Sequence, residues 1–294
     1  MKTVWACCLY LVASLAFGAE SSLVTVLDGG ARMLRGSIWY KLAEGARVQD
    51  GDLIEAAEHT QVQVELASGD TLNVVGQAWL YVARAPRDGK LPAEFYMPEG
   101  WIKLAAKPPA APLRLRTTPG TIDASAAIAV VRVTASSLDV FVESGTARVS
   151  TPDAPARDVA SGSFASRAAD RPLSVSSGAP QAFVTTMPRH FMDTLPTRAD
   201  RYATARVELA VDRPIVFAEA EPWLNSPYRA AFIKRLQPRL ADPTFRTAVM
   251  ANVQAYPEWS SVLVPPPAAT TEAPKPQPEK KDSGLPWPFS GSRR

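Results

Sequence analysis

Val62-Gln63-Val64-Glu65-Leu66-Ala67-Ser68-Gly69-Asp70-Thr71-Leu72-Asn73-Val74 decides the fold class. Val62, Val64 and Leu66 fall on one side of an extended chain, and Gln63 and Glu65 fall on the other. That is the period of two that a β-strand imposes. Gly69-Asp70 then supplies a turn, because glycine reaches positive φ at no steric cost and aspartate bonds to nearby amides. An apolar strand resumes at 72–75. The same texture spreads outward from this hairpin. Strands are predicted at 23–27, 38–42, 62–66, 72–75, 79–82, 101–104, 113–117, 129–134, 140–143 and 147–150, with Leu113-Arg114-Leu115-Arg116 alternating as strictly as the first. Gly45, Gly51, Gly69, Gly100, Gly120, Gly145 and Gly162 punctuate them at the spacing of a sandwich or barrel.

An internal echo suggests that the β part is duplicated. Residues 94–104 align with 139–149 on Gly100 and Gly145, each reading as strand, acidic turn with glycine, then strand. Lys107-Pro108-Pro109-Ala110-Ala111-Pro112 marks the break, giving one β unit at 22–106 and a second at 113–184. The expected architecture is mainly β and antiparallel, a duplicated sandwich or barrel-like module.

The pattern changes to helix over 187–263. Ser226-Pro227 and Asp242-Pro243 each place a capping side chain before a proline at the first helical position. Helices are predicted at 228–240 and 243–256, burying Phe232, Leu236 and Leu240 on one and Phe245, Val249 and Val253 on the other. Trp223 and Trp259 flank this helical hairpin as aromatic clamps. The tail, 264–294, is rich in Pro, Ala, Thr, Glu and Lys and too poor in apolar residues to pack, so it reads as disordered.

The start of the chain sets the compartment. Lys2 precedes an apolar run at 4–15, and Ala16-Phe17-Gly18-Ala19 supplies the small residues of a cleavage site. The run is too short to span a bilayer. Residues 1–19 are therefore expected to be a cleaved signal peptide, leaving a periplasmic protein with no transmembrane anchor. Cleavage removes Cys7 and Cys8, the only two cysteines, and one of the 32 basic residues, against 29 acidic ones. That excludes disulfides and thiol catalysis, and the near balance of charge argues against nucleic acid as a partner. The two histidines, His59 and His190, lie in different segments without metal-ligand spacing, so no metal or cofactor is expected. Ser161-Gly162-Ser163 lacks the rest of a nucleophile motif and reads as a turn.

Residues 26–75 resemble a FecR-type periplasmic domain. The resemblance rests on 30–36, on Leu42-Ala43-Glu44-Gly45-Ala46-Arg47-Val48-Gln49-Asp50-Gly51-Asp52-Leu53-Ile54, and on the hairpin quoted first. Gly45, Gly51-Asp52 and Gly69-Asp70 fall in register with the family's turns, whereas Glu55-Ala56 departs from its usual Thr-Gly or Thr-Ser. Residues 115–122, 140–145 and 159–162 resemble the second half of the family pattern. The resemblance implies a non-enzymatic module acting through protein contacts. It does not imply sigma regulation, which belongs to a cytoplasmic helical segment and a transmembrane helix that this sequence does not show.

The expected partner is a protein in the periplasm or at the inner face of the outer membrane, with peptidoglycan or another envelope polysaccharide as the alternative. Trp79 and Tyr81 share one face of a strand, and Tyr96 and Trp101 flank a neighbouring turn. Exposed, these four would anchor a partner or stack on sugar rings; buried, they would fill a core. Gly45, Gly51, Asp52, Gly69 and Asp70 are read as structural turns rather than acid-base or calcium ligands. Glu99 and Glu143 occupy matching positions in the echo, with nothing to raise their pKa values.

Overall fold

A computed structural model describes residues 22–86, 91–108, 111–169, 171–193 and 196–263. The leader at 1–19 and the tail at 264–294 lie outside the described residues. Seventeen strands join into one curled sheet. In chain order they are β1 (Ser22–Asp28), β2 (Ala31–Arg35), β3 (Ile38–Lys41), β4 (Arg47–Val48), β5 (Leu53–Ala56) and β6 (Gln61–Glu65). Next come β7 (Thr71–Val75), β8 (Ala78–Arg84), β9 (Ala93–Tyr96), β10 (Gly100–Ala105), β11 (Leu113–Arg116) and β12 (Thr121–Val133). The last are β13 (Leu138–Thr151), β14 (Ala154–Ala160), β15 (Ser163–Arg167), β16 (Ser174–Ser177) and β17 (Val211–Pro214).

The pairings trace two layers. One runs β4–β1–β6–β7–β10–β12. The other runs β12–β11–β9–β8–β5–β2–β3–β17. The long strand β12 joins them, its first half bordering β11 and its second half β10, and β13 follows it along its other edge before β14, β15 and β16. Among the described residues every pairing is antiparallel except β9 with β11, which is parallel. The result is a half-barrel folded over one core, with Val62, Val64, Leu72 and Ile102 of the first layer meeting Met33, Ile54, Leu80 and Phe95 of the second. That core continues into Leu113, Leu115, Val131 and Val140, so residues on both sides of the 107–112 break share it.

Both layers also carry apolar residues on their outer faces, among polar ones such as Gln63, Glu65 and Lys103. On the β1–β10 layer, Val75, Val130 and Phe164 are buried under Phe183 of α1 (Gln181–Thr186) and Phe191 of the following 3-10 turn. On the β2–β9 layer, Leu34, Trp39, Leu53, Tyr81 and Tyr96 are buried under α2 (Phe217–Leu224), α3 (Arg229–Leu236), α4 (Pro243–Ala251) and α5 (Ser260–Leu263). Phe232, Leu236, Phe245 and Val249 are buried and Leu240 and Val253 partly so, which are the faces read from the helical period. Asp242 caps α4 through the Thr244 and Phe245 amides at 2.9 and 3.3 Å.

The structure departs from the sequence reading in several places, one being that α3 begins at Arg229 with Tyr228 as its uncapped N-cap residue rather than at Pro227 after Ser226. Residues 94–104 and 139–149 are not hairpins: β9 and β10 belong to different layers, and 139–149 lies within the single strand β13. The echo aligned two glycines that share positive φ but do different jobs, one at a crossover and one at a bulge. Residues 181–184, read as the end of the second β unit, are helical after Pro180. Helix α2 was hidden by Pro222, which sits inside it. Finally, α3 passes into a 3-10 turn at Gln237–Ala241, where Pro238 lacks the amide an α-helix needs, and α4 ends at Ala251 rather than near 256.

At Gly145 the chain needs glycine twice. Its φ is +73°, and a Cβ there would run into the Ala126 carbonyl and lie 2.8 Å from the Ala127 Cα. Across that bulge β12 and β13 change register between Ser125 and Ile128. Gly145→Ala is expected to lose about 2 kcal/mol or more of stability in urea unfolding. Gly162→Ala, at a positive φ with open space around it, should lose less.

Candidate binding site

The outer face of the β2–β9 layer is built as two parallel rows. Register places Trp39 opposite Leu34, Leu34 opposite Leu53, Leu53 opposite Tyr81 and Tyr81 opposite Tyr96. Two residues along each strand, Lys41 stands opposite Arg32, Arg32 opposite Glu55 and Glu55 opposite Trp79. The first row is covered by helices. The second lies at the margin of that cover and floors a cavity of about 300 Å³.

Trp79, Trp39 and Trp223 of α2 line this cavity, with Pro98 and Pro222 as walls. Arg32, Glu55, Glu99 and Glu219 supply its charge. Two other cavities, of about 410 and 480 Å³, carry no aromatic side chain and are lined largely by small residues and loop backbone.

Most of the charge is already committed. The Arg32 guanidinium lies 4.1 Å over the Trp39 ring and pairs with Glu55 and Glu219, each at 2.9 Å. Glu219 also accepts from both Arg213 terminal nitrogens at 2.8 and 2.6 Å, from the Trp39 indole at 3.2 Å and from the Val216 amide at 3.2 Å. Burial alone would push the Glu219 carboxyl up; Arg213, the Val216 amide and Arg32 outweigh it and hold it at about 2. Glu99 differs: it is exposed, and its carboxylate has no partner among the described residues.

The four aromatic residues singled out in the sequence divide between places. Tyr81 and Tyr96 are 3% and 4% exposed. Tyr81 packs 4.8 Å from Tyr228 and 5.2 Å from Phe232, and Tyr96 packs 5.4 Å from Tyr228. Burial, then the hydrogen bond its hydroxyl donates to Glu94 at 2.8 Å, pushes the Tyr228 phenol up. Trp79 keeps an accessible face in the cavity. Trp101 lies on the other layer, 5.1 Å from Phe183. Trp39, Trp223, Arg32 and Glu219 escaped the sequence reading as site residues. Trp39 sits in a predicted strand and Trp223 beside a predicted helix, but nothing local tells that the two meet.

The glycine turns are as tight as their sequence suggests. Gly45, Gly51 and Gly69 have φ of +81°, +86° and +83°. Asp52 is buried and accepts from Arg35 at 3.0 and 2.7 Å and from the Gln49 amide at 2.9 Å. Asp70, also buried, accepts from the Lys107 amide and the Ser68 hydroxyl, both at 2.7 Å. His59 is exposed at φ 60° with Glu58 at 3.5 Å, and His190 is exposed in a 3-10 turn. Glu143 pairs with Lys103 at 2.9 Å, on the layer away from Glu99. Among the described residues no helix is long and apolar enough to cross a membrane.

No family model matches this chain, and no curated protein matches it. Solved structures are similar to part of this chain. One is "Crystal structure of a putative anti-sigma factor from Parabacteroides distasonis ATCC 8503 at 1.65 A resolution", 14% identical, with a TM-score of 0.39 over 45% of this chain and 62% of that one. A second, of the same description at 2.50 Å, is 15% identical with a TM-score of 0.39 over 46% and 64%. This chain thus spans less than two thirds of either.

The Glu219 cluster makes stability depend on pH. Its carboxyl is held at about 2 in the fold against an ordinary 4.5. The stabilisation is therefore complete above about pH 5 and is lost as pH falls toward 2, where the unfolded chain takes up its proton first. Allowing for solvent screening at a partly exposed site, the loss is on the order of 1 kcal/mol. Urea unfolding at pH 7 and pH 3.5, followed by tryptophan fluorescence, should show this step in the parent protein and a smaller one in Glu219→Gln. An equal step in both would remove Glu219 as its source.

Proposed function

We propose that this chain is an exported, non-enzymatic protein-binding module of the cell envelope, similar to FecR-type periplasmic domains and engaged in signalling or sensing there. The leader-like residues 1–19 support export. The register of Gly45, Gly51-Asp52 and Gly69-Asp70, each at a tight turn, supports the family likeness. The observation that carries the binding reading is the Trp79 cavity. Aromatic and proline side chains make up most of its lining, and of its partly exposed charges Arg32, Glu55 and Glu219 are paired. A carboxyl held at about 2 is a poor general acid or base at neutral pH, where catalysis needs a pKa near the working value. Rigid apolar area with little unpaired charge is what a protein contact uses. The accessible face of Trp79 would also suit a sugar ring, so a glycan is the competing ligand.

Site-specific photo-crosslinking in intact cells tests this. A photoreactive residue replacing Glu99 should give a discrete protein adduct that fractionates with the exported compartment, while one replacing Arg148, exposed on β13, should not. Adducts found only with sedimented peptidoglycan sacculi would replace the protein partner with a glycan. Retention of the chain in the cytoplasm would overturn the export reading.

A further inference from the structure

We infer that the Trp79 cavity takes an extended, proline-bearing peptide segment of a second protein, with a lysine or arginine of that segment meeting Glu99. The inference rests on the protein-binding reading and names the chemistry of the partner.

The first support is the kind of surface. Trp79 offers an accessible aromatic face, Trp223 contributes the border of a ring otherwise packed on Phe232, and Pro98 and Pro222 offer rigid pyrrolidine walls. Proline rings stack on such surfaces. A segment already in the polyproline conformation loses little entropy on docking, which is why aromatic grooves recur as its receptors.

The second is the inventory of hydrogen-bonding groups. A proline-rich strand has carbonyls to satisfy and few amides, so its receptor must supply donors. The indole N–H groups of Trp79 and Trp223 have no acceptor among the described residues, and neither is among the enclosed unsatisfied atoms, unlike that of Trp259. Both tryptophans line the cavity. Two unpartnered indole donors thus belong to residues that line the cavity, while the Trp39 indole is already spent on Glu219.

The third is charge. Glu55 and Glu219 are neutralised by Arg32 and Arg213, which leaves Glu99 as the unpaired carboxylate at the rim. A basic side chain complements it. A saccharide would instead need several donors and acceptors free around the aromatic face, and here the charged groups are engaged with each other.

The test is titration of the full mature chain, with its tryptophan indoles labelled with nitrogen-15, against the capped peptide Pro-Pro-Pro-Lys-Pro-Pro-Pro. The expected result is a saturable shift of the Trp79 and Trp223 indole resonances with Trp101 and Trp259 unmoved. Glu99→Gln, at an exposed position that folding does not need, should weaken binding about five- to tenfold for one charge-assisted contact. It should leave the weaker binding of the Lys→Leu peptide unchanged. No shift at Trp79, or equal binding of the lysine peptide and a Lys→Glu peptide, would overturn the inference. Resonances already at their saturated positions, and displaced in a chain carrying K275E, K280E and K281E, would assign the cavity to the chain's own tail and remove the second protein. If the peptide fails while photo-crosslinking at position 99 still captures an exported protein, this chemistry falls and the protein-binding reading stands.

Discussion

A sheet whose strands are apolar on both sides has no face to give to water. In β8, Ala78, Leu80 and Val82 point into the core between the layers, while Trp79 and Tyr81 point out. The outward row from Trp39 through Leu34, Leu53 and Tyr81 to Tyr96 would leave several large side chains exposed, each worth about 1.5–3 kcal/mol when buried. The C-terminal segment answers that requirement. Helices of the length of α2 and α3 are not stable alone in water, and Pro222 and Pro238 weaken them further. They are held by what they cover: Trp223 stacks on Phe232 at 5.2 Å, and Phe232 lies 5.2 Å from Tyr81.

Polar groups of the strands, a turn and helix α2 fasten the covering segment in place. Glu65 accepts from the Arg198 and Ala199 amides at 2.6 and 3.1 Å, and Glu44 accepts from the Tyr202 hydroxyl at 2.7 Å. That hydrogen bond and the one from the Leu27 amide hold the Glu44 carboxyl below its usual range. Lys103 donates to the Phe191 carbonyl at 2.7 Å, and Glu219 ties α2 to β2 and β3. Glu65 and Lys103 are outward strand positions that alternation assigns to water. In β6 this matters most, since Gln63 and Glu65 are as buried as Val62 and Val64.

The period-two signal was therefore right about strands and incomplete about layers. It located β6, β7, β8 and β11 because alternation is a local property. It could not tell water from a later segment of the same chain, which is a long-range one. The same limit applies to the aromatic residues. Trp79 and Tyr81 are legible as one face of one strand, but only the register across β5 and β2 separates the covered row of Tyr81 from the marginal row of Trp79. The site depends on Trp223 and Glu219, some 140 residues further along than Trp79, and no local pattern couples them. The glycine turns are readable because a positive φ favours glycine wherever the rest of the chain goes.

Gly51 shows that such a turn is more than a bend. Its φ of +86° favours glycine, and the end of the Arg235 side chain of α3 reaches the place a Cβ would take. Arg235 lies 5.5 Å from the Tyr81 ring centroid and 4.9 Å from that of Phe232. Burial lowers its pKa, opposed by Tyr81 and by the neighbouring Asp52. The bare backbone of the turn thus lets a guanidinium sit between a β-turn and two aromatic rings, where its charge is partly compensated. The residue that bends the chain is also the seat on which the helical layer docks. A helical layer seated there leaves Tyr81 covered and Trp79, one step further out, at the open margin where Pro222 walls the cavity.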